Sequence, residues 1–311
     1  MLLNILFIVV GIALVLWGAD RLTDGAVAVA EKMKIPQIVI GLTIVAMGTS
    51  MPEFCVSFIS ALKGTSDLAV GNIVGSNIFN ALLIVGVSAL VAPMTIMETT
   101  VRKDIPFALV ASALLLIMCL DGNISRIDAG ILFAMFLIFM YMTLKGAKKQ
   151  STDVETAVEA EGKQPMATWV SVVWILVGLL CLIGGSNLFV EGATAVATNL
   201  GVSEAVIGLT IVAGGTSLPE LATSVVSARK GNSGIAIGNA LGSNVFNILA
   251  ILGITGMITP MTLKGITYID LSMLVISIML VWLFSFTKYK IERWEGAVLT
   301  AVFVGYIYSL L

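Results

Sequence analysis

The chain repeats itself at an offset of 167 residues, and this duplication constrains its fold more than any other feature. Residues 39–80 and 206–247 are identical at 27 of 42 positions without a gap. Both copies contain VIGLTIVA, while GTSMPE is matched by GTSLPE and GNIVGSNIFN by GNALGSNVFN. Chance similarity between apolar segments does not produce such a match, so we expect the two halves to share one structure.

Each half consists of long apolar segments separated by short charged gaps. Hydrophobic residues make up 58% of the 311 residues and charged residues 12%, whereas soluble domains carry about 25% charged residues. Continuously apolar segments are typical neither of a soluble domain nor of an outer-membrane barrel, whose strands alternate polar and apolar residues. We therefore predict an all-α integral membrane protein.

Charges, prolines and glycines divide the apolar sequence into ten candidate transmembrane helices. Five lie at 2–19, 36–62, 68–92, 105–120 and 127–145, and five at 167–186, 203–228, 234–258, 267–286 and 294–311. The predicted domains are a first five-helix repeat at 1–145, a cytoplasmic linker at 146–166 and a second five-helix repeat at 167–311. The polar, low-complexity linker is interpreted as a flexible tether.

The positions of lysine and arginine predict the orientation. With the N-terminus outside, the inner loops hold 14 of these residues and the outer loops hold 3, as the positive-inside rule requires. Each repeat has an odd number of spans, so the second copy enters the membrane from the opposite side and both termini lie outside. Inverted repeats are characteristic of secondary transporters with a site near the bilayer midplane, although duplication can also build a simple bundle or a channel.

Two acidic residues, Glu53 and Glu220, occupy equivalent positions well inside the second and seventh predicted spans. An acid near the bilayer centre costs about 2.5–3.5 kcal/mol on insertion scales, so its occurrence in both copies needs a reason. One interpretation is a pair of protonated glutamates that hydrogen-bond between packed helices. The other is two carboxylates that meet on the pseudo-two-fold axis around a cation.

The residues around the two acids favour a cation site. A proline precedes each glutamate and leaves the carbonyl four residues earlier without its usual donor. Glycines loosen the same turn, so main-chain oxygens near 46–49 and 213–216 are expected to face a cavity. A threonine lies four residues before each glutamate on the same helix face; the pairs are Thr49 with Glu53 and Thr216 with Glu220.

The third and eighth predicted spans each carry a polar stripe with a spacing of four residues. The stripes are Asn72, Ser76 and Asn80, and Asn239, Ser243 and Asn247. Neighbouring glycines at small-xxx-small spacing also indicate tight packing, but packing does not explain three polar side chains on each helix. Carboxylate, hydroxyl, amide and carbonyl oxygens together suit Ca²⁺ and, in smaller clusters, Na⁺. The chain contains no histidine, the commonest ligand of transition metals.

The charge of the pair connects this site to antiport. Two carboxylates are balanced by one Ca²⁺ or by two Na⁺. An ionised pair in a low-dielectric interior is unfavourable when nothing neutralises it, so cations or protons should occupy the site. Competition between them is the physical basis of antiport.

The duplicated motifs G-T-S-x-P-E and G-N-x-x-G-S-N resemble those of prokaryotic sodium/calcium exchangers in the cation/calcium antiporter superfamily, and the resemblance covers the whole ten-span plan. It implies that Glu53 and Glu220 bind calcium, with backbone oxygens of Thr49 and Thr216 completing the site. It also implies sodium sites at Ala46, Ser50 and Ser76 and at Ala213, Ser217 and Ser243, with Asn80 and Asn247 at the border of the central position.

The resemblance implies an electrogenic antiporter of the cell membrane that exchanges Na⁺ for Ca²⁺ by alternating access, as the first and sixth spans slide across the others. Potassium-dependent relatives carry an acid where this chain has Asn247, so K⁺-independence is expected. Proton/calcium relatives carry G-N-x-x-E instead of G-T-S-x-P-E, which favours sodium. An H⁺/Ca²⁺ antiporter is the nearest alternative and a cation channel a more distant one. The expected partners are the lipid bilayer and the transported Ca²⁺ and Na⁺. No enzymatic activity, cofactor, nucleic-acid partner or obligatory protein partner is expected.

Overall fold

The computed structural model describes residues 2–161, 166–201 and 213–310, with the side chains of 148–161 and 213 left out of the description. The described chain is helical apart from four two-residue strands. Within it, seven helices are long and apolar enough to cross a membrane, or eight if one bent pair forms a single span. An all-α membrane protein is thus confirmed, while the ten spans and the outside termini stay predictions.

The helices are numbered here in chain order. The first half contains α1 (Leu2–Met33), α2 (Gln37–Thr49), α3 (Met51–Leu62), α4 (Ser66–Val91), α5 (Thr100–Asp121) and α6 (Arg126–Glu161). The second half contains α7 (Thr168–Asn199), α8 (Ala213–Thr216), α9 (Leu218–Arg229), α10 (Ser233–Ile258), α11 (Tyr268–Ser285) and α12 (Arg293–Leu310). Part of the predicted seventh span, 203–212, lies outside the described residues.

Four of these helices contain a π-helical segment, which the sequence analysis did not predict. The segments are Gly41–Val45 in α2, Phe79–Ile84 in α4, Thr100–Asp104 in α5 and Phe246–Ile251 in α10. Those in α4 and α10 occupy equivalent positions of the repeat, and each contains the last asparagine of its polar stripe, Asn80 or Asn247. Such π-helical turns widen a helix locally and often occur at functional sites.

Helices α1 and α7 extend well beyond the ends predicted at 19 and 186, so those boundaries are wrong. Acidic and basic residues that follow residue 19 suggested an end, but α1 tolerates them because they form ion pairs. Lys230 Nζ lies 2.5 Å from Asp20 Oδ1 and 2.7 Å from Asp24 Oδ1. Lys230, more than 200 positions away in the chain, therefore stabilises two aspartates that the sequence pattern had assigned to a loop.

Helix α6 continues through much of the predicted tether. The backbone is helical to Glu161, so the structure differs from the prediction at 146–161. The segment is rich in alanine, lysine, glutamate and glutamine, which favour helix even when the side chains are polar. Residues 162–165 lie outside the described residues.

The equivalent helices α1 and α7 pack against each other in antiparallel orientation, as inverted repeats require. Glycines at seven-residue spacing form the contact, with Gly11 facing Gly185 and Gly18 facing Gly178. A Cβ atom on Gly18 would lie 2.8 Å from the carbonyl oxygen of Gly178, and the reverse distance is also 2.8 Å. Small residues let two backbones approach this closely, so the pair forms one tightly packed unit.

Helices α4 and α10 form the centre of the molecule. Their apolar windows are 72% and 83% buried, against 33% or less for the other five apolar helices. Gly242 of α10 approaches α2 so closely that a Cβ there would lie 2.7 Å from the carbonyl oxygen of Leu42. The two polar stripes therefore lie in the core and not at the lipid surface.

Two short strand pairs connect the halves outside the helices. The strands are β1 (Met94–Thr95), β2 (Asn123–Ile124), β3 (Met261–Thr262) and β4 (Lys290–Ile291). β1 pairs with β4 and β2 with β3, both antiparallel. Because β1 is equivalent to β3 and β2 to β4, each pair joins one strand from each repeat.

We expect Gly18→Ala to destabilise the α1–α7 contact, because the new Cβ overlaps the carbonyl of Gly178. Overpacking of this kind costs about 1–3 kcal/mol, so the melting temperature of the detergent-solubilised protein should fall. Gly130→Ala is the matched control, since a Cβ there meets no atom within 4 Å. Equal melting temperatures for the two variants would contradict the close packing.

Candidate cation site

A break in the helix lies directly before each glutamate. In the first half α2 and α3 meet at Ser50 with a bend of 48°. Pro52 lies in the first turn of α3, where a proline removes no helical hydrogen bond. The equivalent residue Ser217, between α8 and α9, has φ −89° and ψ 7°, close to the −83° and 10° of Ser50. The irregular backbone predicted before the prolines is thus present as a break between two helices.

The two glutamates are fully buried, and each accepts a hydrogen bond from a serine of the other half. Ser217 Oγ donates to Glu53 Oε1 at 3.0 Å, and Ser50 Oγ donates to Glu220 Oε1 at 2.8 Å. Each serine stands three residues before the glutamate of its own half, so the two bonds cross. Both carboxylates therefore meet at the interface of the repeats.

Each carboxylate has one oxygen that the protein leaves without a partner. Oε2 of Glu53 and Oε2 of Glu220 are buried and accept no hydrogen bond within the described residues. A buried anionic oxygen without a partner costs several kcal/mol unless a positive charge compensates it. The chemistry of the pair therefore fits a bound cation.

Hydroxyl and carbonyl oxygens surround the pair. Thr49 Oγ1 lies 3.3 Å from the carbonyl oxygen of Ala46 and 3.0 Å from Oδ1 of Asn239. Ser243 Oγ lies 3.5 Å from the same carbonyl. Near Glu53, Ser76 Oγ lies 3.2 Å from Ser217 Oγ.

Two serines contact the opposite half of the chain. The family resemblance implies sodium sites that group Ser76 with Ser50 and Ser243 with Ser217, and those sites stay predictions. In the structure Ser76 contacts Ser217, and Ser243 contacts the carbonyl of Ala46. The reason is that α4 and α10 cross at the centre, so each polar stripe reaches the broken helix of the other half.

An asparagine of each stripe holds the main chain of one glutamate. Asn72 Nδ2 donates to the carbonyl of Glu53 at 3.3 Å and to Ser57 Oγ at 2.9 Å. In the second half, Asn239 Nδ2 donates to the carbonyl of Glu220 at 3.2 Å and to Ser224 Oγ at 3.1 Å. The amides thus fix α3 to α4 and α9 to α10. Sequence analysis did not single out the two supporting serines, although both are identical between the repeats.

Two further asparagines connect α4 with α10. Asn77 Nδ2 donates to the carbonyl of Asn244, and Asn244 Nδ2 to the carbonyl of Asn77, both at 3.2 Å. Asn247 Nδ2 donates to Asn77 Oδ1 at 3.0 Å. Sequence analysis missed Asn77 and Asn244 because they do not fall on the four-residue spacing of the stripes. Their occurrence at the same place in both G-S-N motifs could have identified them.

The equivalent residue of the first half, Asn80, behaves differently from Asn247. Asn80 is 1% exposed, and within the described residues neither atom of its side-chain amide has a hydrogen-bond partner. Oδ1 of Asn247 also has none. Both amide oxygens are therefore free to face a bound ligand.

The structure buries most of the predicted site. Among the predicted residues it buries Ala46, Thr49, Ser50, Glu53, Ser76, Asn80, Ser217, Glu220, Ser243 and Asn247. Thr216 is half-buried, and Ala213 begins α8 with its side chain left out of the description. In the described chain no three or more His, Cys, Asp or Glu residues lie together so that they could hold a metal ion, so a cation here would depend on neutral oxygens besides the two carboxylates.

The sequence of this chain matches a known protein family along most of its length. The sequence model of the family "Sodium/calcium exchanger protein" matches residues 3–145 and 170–311. The inner membrane protein YrbG of Escherichia coli K12 is 37% identical over all of this chain and 97% of its own length. The sodium/calcium exchanger MaX1 of Methanosarcina acetivorans is 30% identical over 99% of this chain and 98% of its own.

A solved structure of the sodium-calcium exchanger NCX_Mj superposes with a TM-score of 0.87 at 30% identity, covering all of this chain and 99% of that one. The fold and site therefore define a multi-pass transporter of the cell membrane that exchanges Ca²⁺ for another cation. The chain belongs to the sodium/calcium exchanger family.

Proposed function

We propose that this chain is a secondary active antiporter that exchanges Na⁺ for Ca²⁺ by alternating access, with net charge movement and without K⁺. The observation that carries the proposal is the pair Glu53 and Glu220. The two carboxylates come from opposite repeats, are fully buried, and each retains an oxygen without a partner in the described chain.

In this proposal Ca²⁺ is bound by Glu53 and Glu220 together with the main-chain oxygens of Thr49 and Thr216. Two carboxylates neutralise one Ca²⁺, and the ion takes six to eight oxygens in flexible geometry. Asn80 and Asn247 border this position, and their unpartnered amide oxygens support that placement. The neutral side chain of Asn247 supports K⁺-independence.

Sodium is proposed to bind in two flanking clusters that follow the observed contacts. One consists of Ala46, Ser50 and Ser243 beside Glu220, and the other of Ala213, Ser217 and Ser76 beside Glu53. In each cluster a serine that would bind sodium also hydrogen-bonds a carboxylate. Sodium and calcium therefore draw on the same carboxylates and compete, which couples the two fluxes.

Alternating access is proposed to come from sliding of the α1–α7 unit. At one end α1 is fastened by a hydrogen bond of 2.9 Å between Thr23 Oγ1 and Ser227 Oγ, and by the ion pairs of Lys230. At the repeat-equivalent positions Asn187 is neutral, and neither Glu191 nor Lys63 forms an ion pair with another described residue. This difference between the two ends supports a state that is closed at the end fastened by Lys230.

The first test is calcium uptake into proteoliposomes loaded with Na⁺ and diluted into Na⁺-free buffer. We expect uptake only with the outward Na⁺ gradient, with stimulation by an inside-positive potential and no requirement for K⁺. A sodium-equilibrated sample is the control. Uptake that ignores Na⁺ but follows an imposed pH gradient would instead establish an H⁺/Ca²⁺ antiporter.

Glu53→Gln and Glu220→Gln are expected to abolish calcium transport and to weaken calcium binding about 100-fold or more. Each change removes one charge and one ligand from a buried site, where loss of a charged partner costs several kcal/mol. Isothermal titration calorimetry measures the binding. Glu98→Gln is the control, because that exposed carboxylate pairs with Arg102 at 2.7 Å outside the site. Wild-type affinity in either site variant would refute the assignment.

Acidification is expected to weaken calcium binding, because protons and Ca²⁺ compete for the same pair of carboxylates. The affinity should therefore fall as the pH decreases, and calcium binding should release protons into a weakly buffered solution. Titrations from about pH 8 down to about pH 4, which reach the usual glutamate range, measure both effects. A constant affinity over this interval would argue against a site centred on Glu53 and Glu220.

A further inference from the structure

A cavity of about 270 Å³ opens between α2, α5 and α6, and neither Glu53 nor Glu220 lines it. Its wall combines apolar residues with two lysines and one acid. The apolar part includes Ile38, Val39, Leu42, Phe107 and Phe139, and the charged part consists of Lys103, Asp104 and Lys145. The proposed function uses none of these residues.

The two lysines reach the cavity from different helices and are available to a ligand. Lys103 and Lys145 are exposed, and neither forms an ion pair with another described residue. Lys145 Nζ lies 5.4 Å from the ring centre of Tyr141. Arg102, next to Lys103, by contrast forms an ion pair with Glu98. Two unpaired ammonium groups at one cavity attract an anion, and half-buried Asp104 offsets only part of their charge.

The inverted repeat supplies an internal comparison. The cavity of about 520 Å³ between α4, α11 and α12 is lined by Asp270 and Tyr306, the equivalents of Lys103 and Phe139. Asp270 Oδ1 accepts a hydrogen bond of 2.7 Å from Tyr306 Oη, and the described lining of that cavity includes neither lysine nor arginine. The described lining of the first cavity thus carries two lysines and one acid, whereas that of the second carries a single acid.

We propose that the cavity lined by Lys103 and Lys145 binds an anionic phospholipid. The lysines contact the headgroup phosphate, while Phe107 and Phe139 contact an acyl chain. The predicted orientation places these helix ends at the cytoplasmic face, where basic pockets between transmembrane helices bind such headgroups. A soluble anion would leave the aromatic wall unused, which is why a lipid is the better occupant.

The cavity also borders the cation site through α2. Leu42 belongs to the π-helical segment and stands one turn before Ala46, whose carbonyl contacts Ser243. A lipid at this wall would hold α2 in place and change the rate of transport. Lipid binding itself does not depend on the proposed function; only this effect on transport does.

The test is native mass spectrometry of the full-length protein with dioleoyl-phosphatidylglycerol or dioleoyl-phosphatidylcholine. We expect the wild type to retain phosphatidylglycerol preferentially. Lys103→Gln and Lys145→Gln should each weaken this binding about fivefold, as expected for one lysine at an anionic membrane surface. Lys288→Gln, which removes an exposed lysine outside the cavity, should leave it unchanged.

Unchanged phosphatidylglycerol binding by the Lys103→Gln/Lys145→Gln double variant would overturn the proposal, as would equal retention of both lipids by the wild type. Displacement of phosphatidylglycerol by millimolar inorganic phosphate would identify a soluble-anion site instead. Melting temperatures in phosphatidylcholine verify that the variants are folded. Calcium titration of the same variants separates the two proposals, because calcium binding should survive the loss of lipid binding.

Discussion

The burial of two carboxylates against each other is the constraint on which the rest of the structure depends. Glu53 and Glu220 lie in a low-dielectric interior, where like charges repel and desolvation is costly. The crossed bonds from Ser217 and Ser50 satisfy one oxygen of each carboxylate and leave the other without a donor. The helix breaks and the asparagines that hold the glutamate main chains keep this arrangement in place. A cation bound at the proposed site would complete this balance of charge.

The departures from two-fold symmetry matter as much as the symmetry. Asn247 is fastened to Asn77, whereas its counterpart Asn80 has no partner in the described chain. Lys230 forms ion pairs with two aspartates of α1, whereas its equivalent Lys63 forms none with another described residue. Duplication therefore builds a symmetric site, while substitutions at its edge make the two ends inequivalent.

Close packing defines which part of the molecule can move as a unit. The glycines of α1 and α7 bring the two backbones into contact, as small residues do in membranes, where apolar side chains gain little by leaving lipid. The polar core of α4 and α10 instead joins the repeats through reciprocal amide bonds at Asn77 and Asn244. Sliding between these two assemblies would break few hydrogen bonds within either of them.

The sequence by itself determined the membrane class, the duplication and the chemical character of the site. Each of these follows from local composition or from self-similarity, and the paired acids stand out because charge is rare in apolar helices. Only the tertiary structure decided the partners. The ion pair that stabilises the extended end of α1, the contacts of Ser76 and Ser243 with the opposite half, and the bonds of Asn77 and Asn244 all join residues 140 to 210 positions apart. Periodicity records which face of a helix is polar, whereas the crossing of packed helices sets what that face touches.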